Sequence, residues 1–372
     1  MKTPLYAVIM AGGRGARFWP LSRAHRPKQL LSLLSPKTLV RETVDRVLPI
    51  FGPENLIIVT VAEHFDAMRD ELSFLPARNF LVEPIGNNTA PCIGLAALEI
   101  ERRHPRSVMA VLPADHSITG GTAFRRTLKL ACRIATRNEE LLITLGVPPE
   151  HPETGFGYIL KGSVFTEDTG AAVHRVKRFK EKPNVNGAKR IIKAGGLWNS
   201  GIFVWRAATI LKYLAAFEPV IADSLNEIAQ KTHGKSLTTR DKRTRALLHD
   251  SYRRMSSISI DHAVLETAAR KGHVVTVSGD FTWNDVGSWS ALHRLLNRDQ
   301  QGNGGHARWL SVNSRDCLLF GQERLVVLLG VDSLAVIDTP DALLVANLEQ
   351  SQDLKEIVQL LKSDATTRHL LE

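Results

Sequence analysis

Residues 5–17 of this chain read LYAVIMAGGRGAR, and this stretch points to the fold of the whole protein. The six apolar residues 5–10 are typical of a strand that is buried on both faces of a parallel sheet. A loop rich in glycine and arginine follows directly. In an open α/β sheet, ligands bind beyond the carboxyl ends of the strands, where glycine lets backbone amides approach phosphate oxygens. The stretch therefore predicts an α/β sheet with a phosphate-binding loop.

The rest of the first 150 residues alternates apolar runs with helix-length amphipathic segments, which predicts βαβ units and a mostly parallel mixed sheet. The expected strands cover residues 5–10, 56–61, 79–82, 107–112 and 141–145. The expected helices cover residues 38–48, 63–75, 88–103 and 123–137, and Asn87 or Asn88 would cap the third. Glycine-rich extended segments over residues 151–206 predict strands built over one end of that sheet, before helices over residues 207–270.

Four apolar stretches follow residue 289, at 318–320, 325–328, 334–337 and 343–346. Turn residues separate them at regular spacing, which favours a small separate β domain. The alternative is that these strands extend the main sheet. An amphipathic helix is expected over residues 352–362. We therefore predict a first domain over residues 1–295 and a second over residues 296–372.

The composition of the 372 residues is that of an ordinary globular protein, with 44% hydrophobic and 23% charged residues, and it excludes disorder and fibrous repeats. No apolar run approaches the roughly 18 residues of a membrane span, and residues 1–10 do not resemble a signal peptide. We expect a cytoplasmic protein without a membrane partner. Cys92, Cys132 and Cys317 are far apart and lack CxxC spacing, which indicates buried thiols.

The formal net charge of +10 makes the surface attractive to polyanions. The basic residues are spread along the chain, and only six Trp and four Tyr are present to stack on bases. We therefore expect nucleotides, not nucleic acid, as partners.

The glycine loop carries the strongest local signal for phosphate binding, although it matches neither the dinucleotide fingerprint nor the P-loop. A guanidinium makes bidentate contacts with phosphate, and an ammonium acts as a point charge. The residues expected to contact the anion are Gly12, Gly13, Arg14, Gly15, Arg17 and Lys28. The alternative is a glycine loop without a phosphate partner.

Two aspartates stand where strands are expected to end. Asp115 follows LPA after one apolar strand, and Asp285 lies in the sequence WNDVGSW. Carboxylates at two strand ends facing one crevice can share Mg²⁺, which takes few protein carboxylates together with phosphate oxygens. The alternative is that each aspartate caps a loop. His116 is a poor ligand for such a hard ion.

A third group lies in the glycine-rich middle of the chain. Glu181 and Asn199 can hold sugar hydroxyls by accepting and donating hydrogen bonds, and Gly157 leaves room for a ring near the backbone. Lys182 would neutralise a sugar phosphate. The alternative is that the sequence EKP at residues 181–183 forms a solvated charged edge with a turn.

Taken together, these motifs resemble the mannose-1-phosphate guanylyltransferase family. The matching strings, in chain order, are AGGRGARFWPLSRAHRPKQLL, NTAP, LPADH, GFGYI, FKEKP, NSGIF, SIDHAVLE and WNDVGSW, and they span residues 5–346. GGxGxR and EKP mark the wider sugar-nucleotidyltransferase superfamily, whereas FWPLSR, SIDHAVLE and WNDVGSW are specific to this family. Three positions depart from its usual pattern, namely Ala16, His262 and Thr267.

The resemblance implies a Rossmann-like nucleotidyltransferase core with a short left-handed β-helix domain. It also implies Mg²⁺-dependent conversion of GTP and α-D-mannose 1-phosphate to GDP-mannose and pyrophosphate. By position, Asn88, Thr89 and Pro113 would bind the nucleotide, and Asp115 and Asp285 the metal. In the same way, the catalytic cations are expected to be Arg17, Lys28 and Lys182, and the sugar ligands Gly157, Glu181 and Asn199.

Further expectations follow from the resemblance. Family members often form homodimers, and the longer ones carry an isomerase cupin for which this chain has too few residues, so we expect no isomerase activity. Two rival functions are another sugar-1-phosphate nucleotidyltransferase and a silent regulatory subunit of the same fold that binds a sugar nucleotide. The five charged residues Arg17, Lys28, Asp115, Lys182 and Asp285 argue against the silent subunit.

Overall fold

A computed structural model describes residues 3–166, 172–238 and 241–372 of the chain. The strands are, in chain order, β1 (Leu5–Ala11), β2 (Leu56–Val61), β3 (Phe80–Glu83), β4 (Val108–Pro113), β5 (Ser117–Ile118), β6 (Leu142–Val147), β7 (Gly157–Thr166), β8 (Val173–Glu181), β9 (Leu197–Arg206), β10 (Val274–Ser278), β11 (Trp283–Asn284), β12 (Gly304–Val312), β13 (Leu318–Leu329), β14 (Leu334–Asp338) and β15 (Leu343–Asn347).

The α-helices are α1 (Leu39–Phe51), α2 (Phe65–Glu71), α3 (Thr89–Arg103), α4 (Gly121–Arg137), α5 (Val185–Lys193), α6 (Ala207–Phe217), α7 (Pro219–Lys231), α8 (Lys242–Tyr252), α9 (Glu266–Arg270), α10 (Trp289–Leu295) and α11 (Leu354–Ser363). A π-helical turn, Asp261–Leu265, leads into α9. None of these helices, within the described part of the chain, is long and apolar enough to cross a membrane.

The main sheet has the order β3-β2-β1-β4-β9-β6-β10-β8-β7 in the described residues. Strands β3, β2, β1 and β4 are mutually parallel, and β6 is parallel to β10, whereas the other pairs are antiparallel. The mixed α/β sheet is thus confirmed, although it is less parallel than we predicted. Hydrophobic clusters fill both faces of the sheet, as its continuous apolar strands require.

The glycine-rich middle of the chain belongs to the main sheet, so the expectation that it lies over one end was wrong. Strand β9 pairs with β4 through Val204 and with β6 through Phe203, and it therefore occupies the centre of the sheet. Strand pairing between distant segments leaves no local mark in a sequence. The first 150 residues are consequently only part of this sheet.

The C-terminal strands form a sheet of their own, in the order β12-β13-β14-β15, which confirms a separate β unit. Neighbouring parallel strands usually need a long crossover. Here residues 313–317 alone join β12 to β13, and residues 330–333 join β13 to β14, as in a β-helix. The predicted strands at 318–320 and 325–328 are one strand, β13, and β12 was missed.

The β unit packs against the core through a shared apolar cluster. Phe18 and Trp289 from the core contact each other with ring centroids 4.8 Å apart, and Trp289 contacts Phe320 of β13. Leu354 of α11 joins the same cluster. The three cysteines are buried and unpaired, as predicted.

Candidate active site

The loop after β1 turns sharply at Gly15. Its φ is +67°, a left-handed conformation that favours glycine. A Cβ atom at this position would lie 2.3 Å from Cβ of Lys28. Glycine is therefore required here so that the lysine can pass close to the loop.

Lys28 connects three distant segments of the chain at the ends of the strands. Its Nζ donates to Oδ2 of Asp115 at 2.8 Å and to the backbone carbonyl of Asp285 at 2.7 Å. Arg17 donates from Nη1 to the carbonyl of Gly287 at 3.0 Å. The structure thus brings Arg17, Lys28, Asp115 and Asp285 together, as the sequence predicted.

The two carboxyl groups differ in their electrostatics. Burial alone would raise the pKa of Asp115, but the adjacent Lys28 ammonium lowers it overall. The pKa of Asp285 is raised, first by burial and then by the negative charge of Asp115, against the opposing effect of Lys28. The charge of Asp115 therefore acts on the carboxyl of Asp285, and Lys28 links the two segments by bonding to the Asp115 side chain and the Asp285 backbone.

This pair of carboxylates suits Mg²⁺ better than a softer metal. The described residues contain no group of three or more His, Cys, Asp or Glu side chains placed to hold a metal. Burial lowers the pKa of His116 to about 4, and its Nδ1 accepts a hydrogen bond from Trp283, so it is a neutral structural partner. Two carboxylates together with phosphate oxygens are a donor set that Mg²⁺ uses.

Unusual backbone conformations occur at three positions around these residues. Val286, directly after Asp285, has φ of +48°, which is rare for a β-branched side chain. Lys182 and Asn88 have φ of +42° and +67°. Such conformations cost free energy and cluster at functional sites.

A cavity of about 400 Å³ opens beside the glycine loop. It is lined by Met10, Gly12, Gly13, Gln29, Glu83, Gly86, Asn87, Asn88, Thr89, Cys92, Pro113 and Asp115. Five predicted nucleotide residues and one predicted metal ligand therefore border one space. Arg14 is not among its lining residues, since it is exposed and pairs with Glu63 at 2.9 Å.

Asn88 and Thr89 shape the wall of this cavity from the start of α3. Asn88 caps the helix, and its Oδ1 accepts from the Thr89 amide at 2.9 Å. Oγ1 of Thr89 accepts from the Ile260 amide at 2.8 Å. The wall is therefore fixed to the segment that carries SIDHAVLE.

Glu83 lies in the same cavity and was missed by the sequence analysis. It ends β3, is 3% exposed, and its Oε1 makes no hydrogen bond within the described residues. Burial raises its pKa to about 8, although contacts with Tyr252 and Cys92 oppose the shift. A carboxyl group so placed is unusual unless a ligand supplies its partners.

The predicted sugar residues also converge. A Cβ atom at Gly157 would lie 2.6 Å from Oε2 of Glu181 and 3.5 Å from Cβ of Asn199. Lys182 Nζ lies 3.5 Å from Glu181 Oε1 and is otherwise exposed. Gly157, Glu181 and Asn199 therefore lie together at the ends of β7, β8 and β9, with Lys182 beside Glu181.

Asp261 belongs to this group as well, and its role was not foreseen. Asn199 donates from Nδ2 to Asp261 Oδ1 at 2.7 Å and accepts at Oδ1 from Thr144 at 3.2 Å. Burial, together with the charge of Glu181, raises the pKa of Asp261 to about 6. The sequence signal for Asp261 is its place in the SIDHAVLE motif.

Comparison with known proteins identifies the family to which this chain belongs. The Nucleotidyl transferase family model matches residues 6–302, and the MannoseP isomerase/GMP-like beta-helix domain model matches residues 307–361. The mannose-1-phosphate guanylyltransferase of Klebsiella pneumoniae is 37% identical over 98% of this chain and 75% of its own length. The chain belongs to the mannose-1-phosphate guanylyltransferase family.

Other members of this family give the same result. The mannose-1-phosphate guanylyltransferase of Escherichia coli is 38% identical over 98% of this chain and 75% of its own. A solved structure from Thermus thermophilus, described as a "mannose-1-phosphate geranyltransferase", has a TM-score of 0.84 and 31% identity. It covers 97% of this chain and is itself covered completely. The predicted family and the combination of a nucleotidyltransferase domain with a β-helix-like domain are therefore confirmed.

Proposed function

We propose that the protein transfers GMP from GTP to α-D-mannose 1-phosphate, giving GDP-mannose and pyrophosphate. One observation carries this proposal. The ammonium of Lys28 joins Asp115 to the loop of Asp285, and Arg17 bonds to that same loop. A charged constellation of this kind beside a glycine-lined cavity suits the transfer of a nucleotide between two phosphate compounds.

Electrostatic repulsion between two polyanions is the first barrier to this reaction. In the proposed step, a phosphate oxygen of mannose 1-phosphate attacks the α-phosphorus of GTP, and the bond from that phosphorus to the bridging oxygen of the β-phosphate breaks. Arg17, Lys28 and Lys182 spread the charge on the attacking and leaving oxygens. The nucleophile is already largely ionised at pH 7, so no general base is assigned, and positioning supplies the remaining catalysis.

Mg²⁺ is the proposed cofactor, held by Asp115 and Asp285. When bound, it would neutralise charge on the triphosphate. The Lys28 ammonium keeps Asp115 ionised, because it lowers the pKa of that carboxyl. Lys28 also fixes the separation of the two loops, so the carboxylates are positioned before substrate arrives.

Glu83 favours guanine among the bases. The ionised carboxylate presents two acceptor oxygens, and the N1–H and N2–H₂ groups of guanine are adjacent donors on one edge of the base. Adenine, cytosine and uracil lack this pair of adjacent donors. Asn88 and Thr89 lie in the wall of the same cavity, where they would contact the nucleoside.

The sugar is assigned to the space between Gly157, Glu181 and Asn199. Glu181 accepts from hydroxyl groups, and Asp261 fixes the amide of Asn199 through the 2.7 Å hydrogen bond. Lys182 follows Glu181 directly and is exposed towards solvent, where it would meet the sugar phosphate. Bulkier residues at position 157 would displace Glu181.

Several further expectations from the sequence are kept as part of this proposal. We propose a cytoplasmic location, no nucleic-acid or membrane partner, and a homodimer. The domain boundary between residues 295 and 296 and the left-handed coil of the β-helix remain predictions as well.

Pyrophosphate release tests the function directly. Purified protein in magnesium buffer is given each of four nucleoside triphosphates with each of a panel of hexose 1-phosphates. We expect GTP with mannose 1-phosphate to react fastest by kcat/KM. Faster turnover with another pair would identify a different sugar nucleotidyltransferase, and no turnover with any pair would favour the silent subunit.

A further inference from the structure

The C-terminal helix α11 lies against the loop that carries Arg17. It packs on the 3-10 turn Ala16–Phe18, and Leu354 in its first turn is buried in the cluster that contains Phe18 and Trp289. Just before the helix, Oγ of Ser351 accepts a hydrogen bond from the Ser290 amide at 3.3 Å. The first turn of α11 is therefore fixed where the glycine loop meets the loop of Asp285.

One face of α11 is turned towards the glycine loop. Val358, Gln359 and Lys362 line a groove together with Arg14, Ala16 and Trp19. Residues three, four and seven apart share a face of a helix. Lys355 precedes Val358, Gln359 and Lys362 by three, four and seven residues. It therefore extends the same face at the end of the helix nearest the active site.

Lys355 lies on the helix that packs against the turn of Arg17, and the charges of Arg17 and Lys182 both act on it. Its pKa is lowered, first by the positive charge of Arg17, then by partial burial, and then by the charge of Lys182. In the ranges 3–166, 172–238 and 241–372, neither Arg17 nor Lys355 pairs with a carboxylate. Of the three cations, only Lys182 has a carboxylate partner within 4 Å in these ranges, namely Glu181, and unpaired cations of this kind attract a polyanion.

We propose that Lys355 binds the β- and γ-phosphates of the nucleotide, together with Arg17, and that it holds the pyrophosphate leaving group. This inference rests on the proposed function. It favours the leaving group over the sugar phosphate because α11 packs on the Ala16–Phe18 turn of the glycine loop, and Gly12 and Gly13 of that loop line the nucleotide cavity. The helix after the β unit would thereby complete a site whose other residues all come from the core.

Titration with inorganic pyrophosphate tests the proposal without requiring turnover. Isothermal titration in magnesium buffer at fixed ionic strength compares the wild type with Lys355→Met, Lys355→Arg and Lys362→Met. We expect Lys355→Met to bind pyrophosphate about tenfold more weakly, since it loses one charge-assisted contact. Lys355→Arg should retain most of the affinity. Lys362→Met, which removes the same charge two turns further along the same face, should bind as the wild type does.

Steady-state kinetics then separates the leaving group from the sugar phosphate. For Lys355→Met we expect a higher KM for GTP, weaker product inhibition by pyrophosphate and an unchanged KM for mannose 1-phosphate. Wild-type pyrophosphate affinity in Lys355→Met would overturn the proposal, as would an equal loss in Lys362→Met or an increase confined to the KM for mannose 1-phosphate. Because the titration with pyrophosphate contains no sugar phosphate, it tests the role of Lys355 even if the protein acts on a sugar phosphate other than mannose 1-phosphate.

Discussion

The main sheet and the C-terminal β unit use parallel strands in opposite ways. In the main sheet, the parallel strands β1 to β4 are joined through helices such as α1 and α3, and their carboxyl ends open onto loops that carry Lys28, Glu83 and Asp115. In the β unit, connections of a few residues join the parallel strands β12, β13 and β14. Long crossovers leave space at the strand ends for a ligand, whereas short ones close that space.

The surfaces of the two regions differ accordingly. The strand ends of the core hold buried ionisable groups, including Glu83 and Lys28. The β unit exposes large apolar side chains on one side of paired β12 and β13, where Leu310 lies opposite Val327 and Val312 opposite Leu329. These four side chains are 56–72% exposed. The core is therefore suited to chemistry and the β unit to packing against another protein. Lys355, on the helix that follows the β unit, is the proposed contribution of the C-terminal region to the active site.

The largest effect is expected from the carboxylates of the core. Asp285→Asn should lower kcat/KM in the pyrophosphate-release assay by about 10²–10³-fold, because it removes one preorganised charge from the site. The folded protein should lose no stability, since burial and Asp115 already disfavour the ionised form of this carboxyl. Thermal unfolding of the variant measures this second expectation.

Two related variants serve as controls for that result. Asp115→Asn should lower the rate similarly and also lower the free energy of unfolding, because Lys28 loses its buried partner. Asp280→Asn removes an exposed carboxylate a few residues before Asp285 and should change neither quantity. Near-normal turnover of both Asp115→Asn and Asp285→Asn in magnesium buffer would refute the metal site.

The next effect concerns the choice of base in the core cavity. Glu83→Gln keeps one acceptor and replaces the other by a donor, so kcat/KM for GTP should fall by about 10- to 100-fold while that for UTP falls less. Nucleotide competition assays measure both values. An equal loss with GTP and UTP would remove Glu83 from base recognition.

The pH dependence sharpens the same test. The pKa of Glu83 is raised from its usual 4.5 to about 8, so the folded protein keeps this carboxyl protonated below about pH 8. The contribution of this group to the free energy of unfolding is fully present below about pH 4.5 and is lost as the pH rises from there through about 8. If guanine needs the carboxylate, kcat/KM for GTP should increase up to about pH 8 and then level off. Glu83→Gln should lose this increase of kcat/KM towards pH 8, whereas the control variant Asn88→Ala should still show it.

A smaller effect is expected in the sugar region. Asn199→Ala should raise the KM for mannose 1-phosphate by about tenfold and leave the KM for GTP nearly unchanged, because it removes hydrogen bonds to the sugar. Steady-state kinetics with each substrate varied in turn provides the measurement. Equal increases in the two KM values would exclude Asn199 from the sugar site.

The smallest effect on chemistry is expected in the β unit. Val327→Lys places a charge in the exposed apolar patch of Leu310, Val312, Val327 and Leu329, and should convert the proposed homodimer to a monomer with kcat retained. Light scattering after size-exclusion chromatography gives the mass. A monomeric wild type would refute the dimer, and a dimeric Val327→Lys would assign its interface to another surface.

The sequence predicted those parts of the protein that have a local pattern. Buried strands such as β1 and β2 and the position of Asp115 after β4 follow from apolar runs and what comes directly after them. Glu83 was missed because the strand was expected to end at residue 82, one residue before its observed end. Strand β12 was missed because it has no continuous apolar run; the alternation of polar and apolar residues after Gly305 was the signal that could have found it.

Long-range relations could not be predicted from residue patterns. The central place of β9, the hydrogen bond from Asn199 to Asp261 and the approach of Lys355 to Arg17 each join segments far apart in the chain. Such relations depend on tertiary packing, which local propensity does not report. Family resemblance supplied the proposed catalytic residues and the β-helix-like domain, but neither Glu83 nor Lys355.

The central position of β9 also has a consequence for how the polypeptide is made. Strand β6 lies between β9 and β10, both of which come later in the chain, and β4 also pairs with β9. During synthesis, an emerging chain of about 150 residues therefore presents unsatisfied strand edges to the surrounding medium, where they are prone to aggregate. Fragments that stop before residue 206 should therefore be insoluble, and both edges of β6 are paired only once β10 has also been made.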